Sequence, residues 1–204
     1  MEKTDFRKAL KHLYQPSARA FSIVEVPKMQ FAKIDGTGNP NTSADYAHAV
    51  QWLYSVSYPL KFMSKKELQK DYGVPPLEGL WWADDMTSFT SGDKDSWKWT
   101  MMIMQPDWIS GQMFAAAVDK ARAKMGEPPA SLRLETYHEG LSVQIMFIGP
   151  YAEEGPVIAQ LHNEFLPAEE LTENGHHHEI YLGDPRKTAP EKLKTVIRQP
   201  VRRT

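Results

Sequence analysis

The chain has 204 residues, 24 of them Lys or Arg and 26 Asp or Glu, for a formal charge of −2, with 41% hydrophobic and 25% charged content. That length predicts one domain or two small halves sharing a core, and the composition excludes a disordered or fibrous chain. Near-neutral charge argues against nucleic acid as the main partner, because phosphate neutralisation supplies most of that affinity, and no run approaches the roughly 18 apolar residues of a membrane span.

There are no cysteines, which excludes disulfides, thiolate catalysis and Cys-based metal sites and fits a reducing compartment. The first 21 residues lack the apolar core of a signal peptide, so a cytoplasmic protein is expected. They read as an N-terminal arm, with a short helix over Asp5–Tyr14 ended by Pro16. Strand character follows over Ser22–Ile34, interrupted by Pro27, and a loop of turn residues at 35–40. Thr42 or Ser43 caps a helix carrying Tyr46, Ala49, Val50, Leu53 and Tyr54 at helical spacing, limited by Pro59. A second, charged helical piece covers Ser64–Lys70.

Leu77–Ala83 and Trp97–Met104 read as strands joined by a turn region, Asp84–Asp95, with Pro106 as the stop. Gly111–Met125 is a helix closed by Gly126-Glu127-Pro128-Pro129. Strands Leu132–Tyr137 and Leu141–Ile148 flank a turn at His138-Glu139-Gly140. After the loop Gly149-Pro150-Tyr151 comes a helix from Glu153 or Pro156 to Phe165. The strands His177–Leu182 and Lys192–Ile197 close the chain, separated by Gly183–Arg186.

Both halves run strand, helix, strand, strand. Ile34-Asp35-Gly36 matches Ile148-Gly149-Pro150, Leu80-Trp81-Trp82 matches Ile180-Tyr181-Leu182, and Ile103-Met104-Gln105-Pro106 matches Ile197-Arg198-Gln199-Pro200. The fold class expected is α+β: duplicated β-α-β-β units, about 22–108 and 130–201, forming two pseudo-symmetric halves of one domain (22–204) around a ligand cleft.

Ile148–Tyr151, the helix to Phe165, Glu179-Ile180-Tyr181 and Asp184-Pro185 together resemble the GyrI-like small-molecule-binding family, from about Val24 to Val201. The resemblance implies a pocket for bulky aromatic or cationic compounds. Some members fuse this module to a helix-turn-helix, for which the first 20 residues are too few. Glu78-Gly79-Leu80-Trp81-Trp82 and the separate chain resemble the branch that hydrolyses cyclopropane-bearing alkylating compounds.

Strand alternation puts Glu179 and Tyr181 on one face and Ile180 and Leu182 on the other. A carboxylate among aromatic rings has its pKa raised by desolvation and becomes a competent base, and the resemblance matches the family's pocket Glu to Glu179. Tyr137, sharing a face with Arg133 and Glu135, is the second catalytic candidate, holding water or donating to oxygen charge on the leaving group. Five tryptophans lie between residues 81 and 108. Trp81, aligned with Tyr181, and Trp99 are expected with Tyr181 to stack on a planar ligand, with Phe147 completing the binding set, while Trp82 points into the core. Glu78 is a second acidic strand residue.

The run His176-His177-His178 diverges on a strand and fits no usual zinc spacing. No phosphate loop and no Gly-x-Ser-x-Gly elbow is present. The reading is a cofactor-independent hydrolase that opens strained aromatic toxins with Glu-activated water. Its alternative is a protein that binds and sequesters aromatic or cationic drugs without turnover, and gyrase inhibition is a third.

Overall fold

Nine strands and two principal helices make an α+β fold in a computed structural model that describes residues 2–85 and 92–204. Part of the turn region expected at Asp84–Asp95, residues 86–91, lies outside the described residues. The chain divides into two units, 1–9 with 29–137 and 10–28 with 138–204. The expected first helix is two single turns, α1 (Phe6–Ala9) and α2 (Lys11–Tyr14), which fall in different units.

In the first unit β1 (Lys3–Thr4) pairs in parallel with β3 (Asp71–Tyr72). β5 (Lys98–Gln105) lies between β2 (Ser22–Thr37) and β4 (Leu77–Trp82), both antiparallel to it. A central strand covered on both sides should be apolar throughout, and Trp99 to Gln105 are all buried. Trp99 lies over Gly36 of β2 so closely that no Cβ fits there. β2 runs through Pro27 without a break.

Helix α3 (Ala44–Glu67) starts at Ser43, whose Oγ accepts from the Tyr46 amide at 3.3 Å. It continues through Pro59, where a stop was expected. Proline removes one helical hydrogen bond at a cost of about 3 kcal/mol. Ala49, Trp52, Leu53, Val56 and Leu60 bury one face of the helix, at roughly 1.5–3 kcal/mol for each large side chain, and that outweighs the loss. Helix α4 (Gly111–Met125) is capped by Ser110 and packs on α3 through Phe114, Ala117 and Ala121. Gly126, at φ +83°, ends it.

The second unit is ordered in the same way. β9 (Lys194–Arg203) lies between β6 (Arg133–Ile148) and β8 (His177–Tyr181), antiparallel to both, and its far end pairs with β7 (Leu171–Glu173). β6 is one continuous strand where a turn was expected: Gly140 takes φ +73° without ending it. The helical run is α5 (Gly155–Gln160), a π turn over Leu161–Phe165, and α6 (Leu166–Ala168). Leu161 and Leu166 bury it against Val143, Leu171 and Val201.

The strand registers correct one expected equivalence. Leu77 stands opposite Ile103, and Glu179 opposite Ile197. Superposing the two Ile-x-Gln-Pro motifs therefore matches Leu77 with Glu179, not Trp81 with Tyr181. Local motif similarity cannot see a two-residue slip, because a shift of two preserves the face. Trp82 is also the less buried of its pair, and Trp81 is 5% exposed. Among the described residues no helix is long and apolar enough to cross a membrane.

Candidate active site

The period of a strand decides what β8 presents. His177, Glu179 and Tyr181 are partly exposed, while His178 and Ile180 are buried. Glu179 and Tyr181 share a face, and the Tyr181 hydroxyl donates to Glu179 Oε2 at 2.7 Å. His177 Nε2 lies 3.0 Å from Glu179 Oε1. Cross-strand partners share a face as well. Tyr181 and Phe147 both stand opposite Thr195, so Phe147, Thr195 and Tyr181 form one row beside Glu179.

A further carboxyl comes from the Ile148–Tyr151 turn. Gly149, at φ +149°, leaves a Cβ only 3.0 Å from the Phe147 ring, and its amide donates to the Leu193 carbonyl at 3.0 Å. Pro150 then starts a 3-10 turn, Tyr151–Glu153, and Glu154 leads into α5. Tyr151 packs edge-on against Tyr181 with ring centroids 5.5 Å apart. Glu154 is 4% exposed and lies against Glu179 and Thr195.

The two carboxyls are driven in opposite directions. Burial, and then the charge of Glu179, push Glu154 up to about 9, which favours its neutral form at pH 7. Burial pushes Glu179 up too, but hydrogen bonds from His177, Tyr181 and Glu154 outweigh it and hold Glu179 below its ordinary value. The expectation that Glu179 itself is the raised group is corrected: its donors favour the charged form, and the burden falls on Glu154. Three buried atoms in this cluster, Glu154 Oε1, His177 Nδ1 and Thr195 Oγ1, have no hydrogen-bond partner. Native structures leave few such groups, so this cluster carries polar capacity that the chain itself does not use.

The opposite face of the same strands is fully paired. His178, Arg198 and Gln144 form one row across β8, β9 and β6. Glu139 Oε1 lies 2.8 Å from His178 Nδ1, and Arg198 Nη1 donates to Glu139 Oε2 at 3.1 Å. Arg198 also donates to Gln144 Oε1 at 3.0 Å and to the Leu13 carbonyl at 2.6 Å, which ties α2 to the sheet. Burial raises Glu139, yet His178 and Arg198 more than compensate and hold it at about 2.

Of the residues singled out in the sequence, Glu179, Tyr181 and Phe147 lie together on one face of the second unit. Trp81 and Trp99 stand opposite each other in the first unit, both in ring contact with Tyr46. Trp99 is 1% exposed, and its Nε1 donates to the Gly38 carbonyl at 3.3 Å. Tyr137 is in the first unit with Lys33 Nζ 4.4 Å above its ring and Phe31 edge-on at 6.3 Å. Glu78 is fully buried in β4. Sequence reasoning missed Glu154, His177 and Thr195. The signal available for Glu154 was a carboxylate three residues after Tyr151, in a turn whose glycine and proline fix its path.

Comparison with known proteins bears on the family and the fold. The chain matches the GyrI-like small molecule binding domain over residues 19–202. An uncharacterized conserved protein from Listeria innocua is 39% identical, with a TM-score of 0.89 over 98% of this chain and 100% of that one. A hydrolase from the same organism is 38% identical, with a TM-score of 0.84 and the same coverage. The EcmrR C-terminal domain, at 10% identity and a TM-score of 0.58 over 91% of this chain and 98% of that one, shares the fold alone. No curated protein matches. The Ile148–Tyr151 turn and the Glu179–Tyr181 strand stand within a match that spans nearly the whole sequence, and the chain belongs to the GyrI-like small molecule binding domain family.

Proposed function

We propose that this protein hydrolyses small organic molecules, with Glu179 as the base that activates water. The observation that carries the reading is the Glu179 cluster: an ionised carboxylate oriented by His177 and Tyr181, with three partnerless polar atoms beside it. An oriented base within reach of a held water is what general-base hydrolysis requires. The Listeria innocua hydrolase, similar over its whole length, supports the same reaction class.

The finer reading is opening of a strained cyclopropane ring on an aromatic toxin, where ring strain drives the reaction and no cofactor is called for. Phe147 and Tyr181 are the proposed aromatic contacts beside the base. On the sequence reading, Tyr137 is proposed as a second catalytic group and Trp81 and Trp99 as ligand contacts. The shared strand order supports reading about 22–108 and 130–201 as diverged copies of one β-α-β-β unit. The second reading, sequestration of cationic aromatic compounds, is favoured by the charge of Glu179 among Tyr151, Tyr181 and Phe147.

Mass spectrometry of a cyclopropane-bearing alkylating agent incubated with the protein separates the two readings. Gain of one water by wild type, reduced about 10²–10⁴-fold in Glu179→Gln, is the result expected of a hydrolase. Retention of the compound without water gain leaves sequestration as the function.

A further inference from the structure

The hydrolytic reading gives Glu179 a task and leaves Glu154 without one. Glu154 is a buried carboxyl set directly against the base, on a separate element, with one oxygen unpartnered. Buried carboxyls normally find a cation, as Glu139 does with Arg198 and His178. Among the described residues Glu154 forms no ion pair, its Oε1 has no hydrogen-bond partner, and the polar side chain that faces it from β9 is Thr195. A neutral acid beside an ionised base is the arrangement in which two carboxyls divide acid and base roles.

We propose that Glu154 is the general acid of the reaction, resting on the hydrolytic reading of this site, and that the substrate class is one whose leaving atom must be protonated. Water attacks the electrophilic carbon and forms a C–O bond while one of its protons passes to Glu179. The strained bond breaks, and its electron pair moves onto the leaving part, which takes the proton of Glu154. The proton held by Glu179 then crosses the contact between the two carboxyls to Glu154, restoring the ionised base and the neutral acid. One water is added and nothing is oxidised or reduced.

This division of labour disfavours permanent cations as substrates, since a neutral Glu154 adds no second negative charge. The groups that act on Glu154 are Glu179 on β8 and Thr195 on β9, and those that act on Glu179 are His177, Tyr181 and Glu154.

The test compares wild type, Glu154→Gln, Glu154→Asp and Glu179→Gln on the same cyclopropane-bearing agent, together with infrared spectra at neutral pH. Wild type should show the carbonyl band of a neutral carboxylic acid, and Glu154→Gln should lose that band. Hydrolysis should fall about 10²-fold or more in Glu154→Gln, with loss of the alkaline limb of the rate profile, and Glu154→Asp should recover part of the rate. A Glu154→Gln enzyme within threefold of wild type, or an acid band that persists in it, overturns the assignment while hydrolysis by Glu179 stands. No water gain by wild type overturns the hydrolytic reading, and the acid role with it.

Discussion

Glu139 and Glu179 are both carboxylates beside a histidine of β8, and they show two ways a fold can hold a buried charge. On the face of His178 every partner of Glu139 is present: a histidine, a bidentate-capable guanidinium, and through Arg198 a carbonyl of α2. On the face of His177, one residue away, Glu179 has its donors but is surrounded by Glu154 Oε1, His177 Nδ1 and Thr195 Oγ1 without partners. The Glu139 cluster is buried, whereas His177, Glu179 and Tyr181 are partly exposed. The two also differ in satisfaction: the first network is complete and positions strands, and the second leaves polar atoms unpartnered within the chain.

That contrast breaks first at Arg198. Arg198→Met leaves Glu139 charged with one partner in an apolar setting, and such losses cost about 3–5 kcal/mol; urea unfolding at pH 7 measures it. The sign of the pH dependence follows from Glu139, held at about 2 against an ordinary 4.5. Its contribution is present above about pH 4.5 and is lost as pH falls toward 2. In Arg198→Met the acid limb should begin at higher pH.

The Glu154 face should respond in the opposite sense. A group pushed up to about 9 contributes stability below its ordinary value of 4.5 and loses it as pH rises toward 9. Glu154→Gln should therefore stabilise the protein by on the order of 2 kcal/mol at pH 7, with no gain below pH 4.5, in thermal melts across that range. A variant that lowers turnover while raising Tm would mark a residue kept for chemistry. The smallest effect is expected at Tyr181→Phe. It removes one donor from the ionised form of Glu179, so the acid limb of the rate profile should move up by about one pH unit.

Much of the fold was legible because its signals are local. Ser43 and Ser110 cap the helices that follow them, Gly126 ends α4, and Glu179 and Tyr181 share a face because side chains alternate on a strand. The misses have equally physical causes. Pro59 is overridden by the buried face of α3, and Gly140 takes a left-handed conformation inside β6 in place of a turn. The equivalence of Trp81 with Tyr181 failed because pairing register is a property of two strands, and a motif lies on one.

What the sequence determined by itself was the caps at Ser43 and Ser110, the face that Glu179 presents and the family turn at Ile148–Tyr151, all consequences of spacing within a few residues. Which buried carboxylate would be paired and which left open was decided only by tertiary structure. Arg198 meets Glu139 59 positions away, and Leu13 185 positions away. Glu154 is pushed up by its burial and then by Glu179, which β8 brings against it, because a pKa is set by the charges and burial around a group and not by its neighbours in sequence.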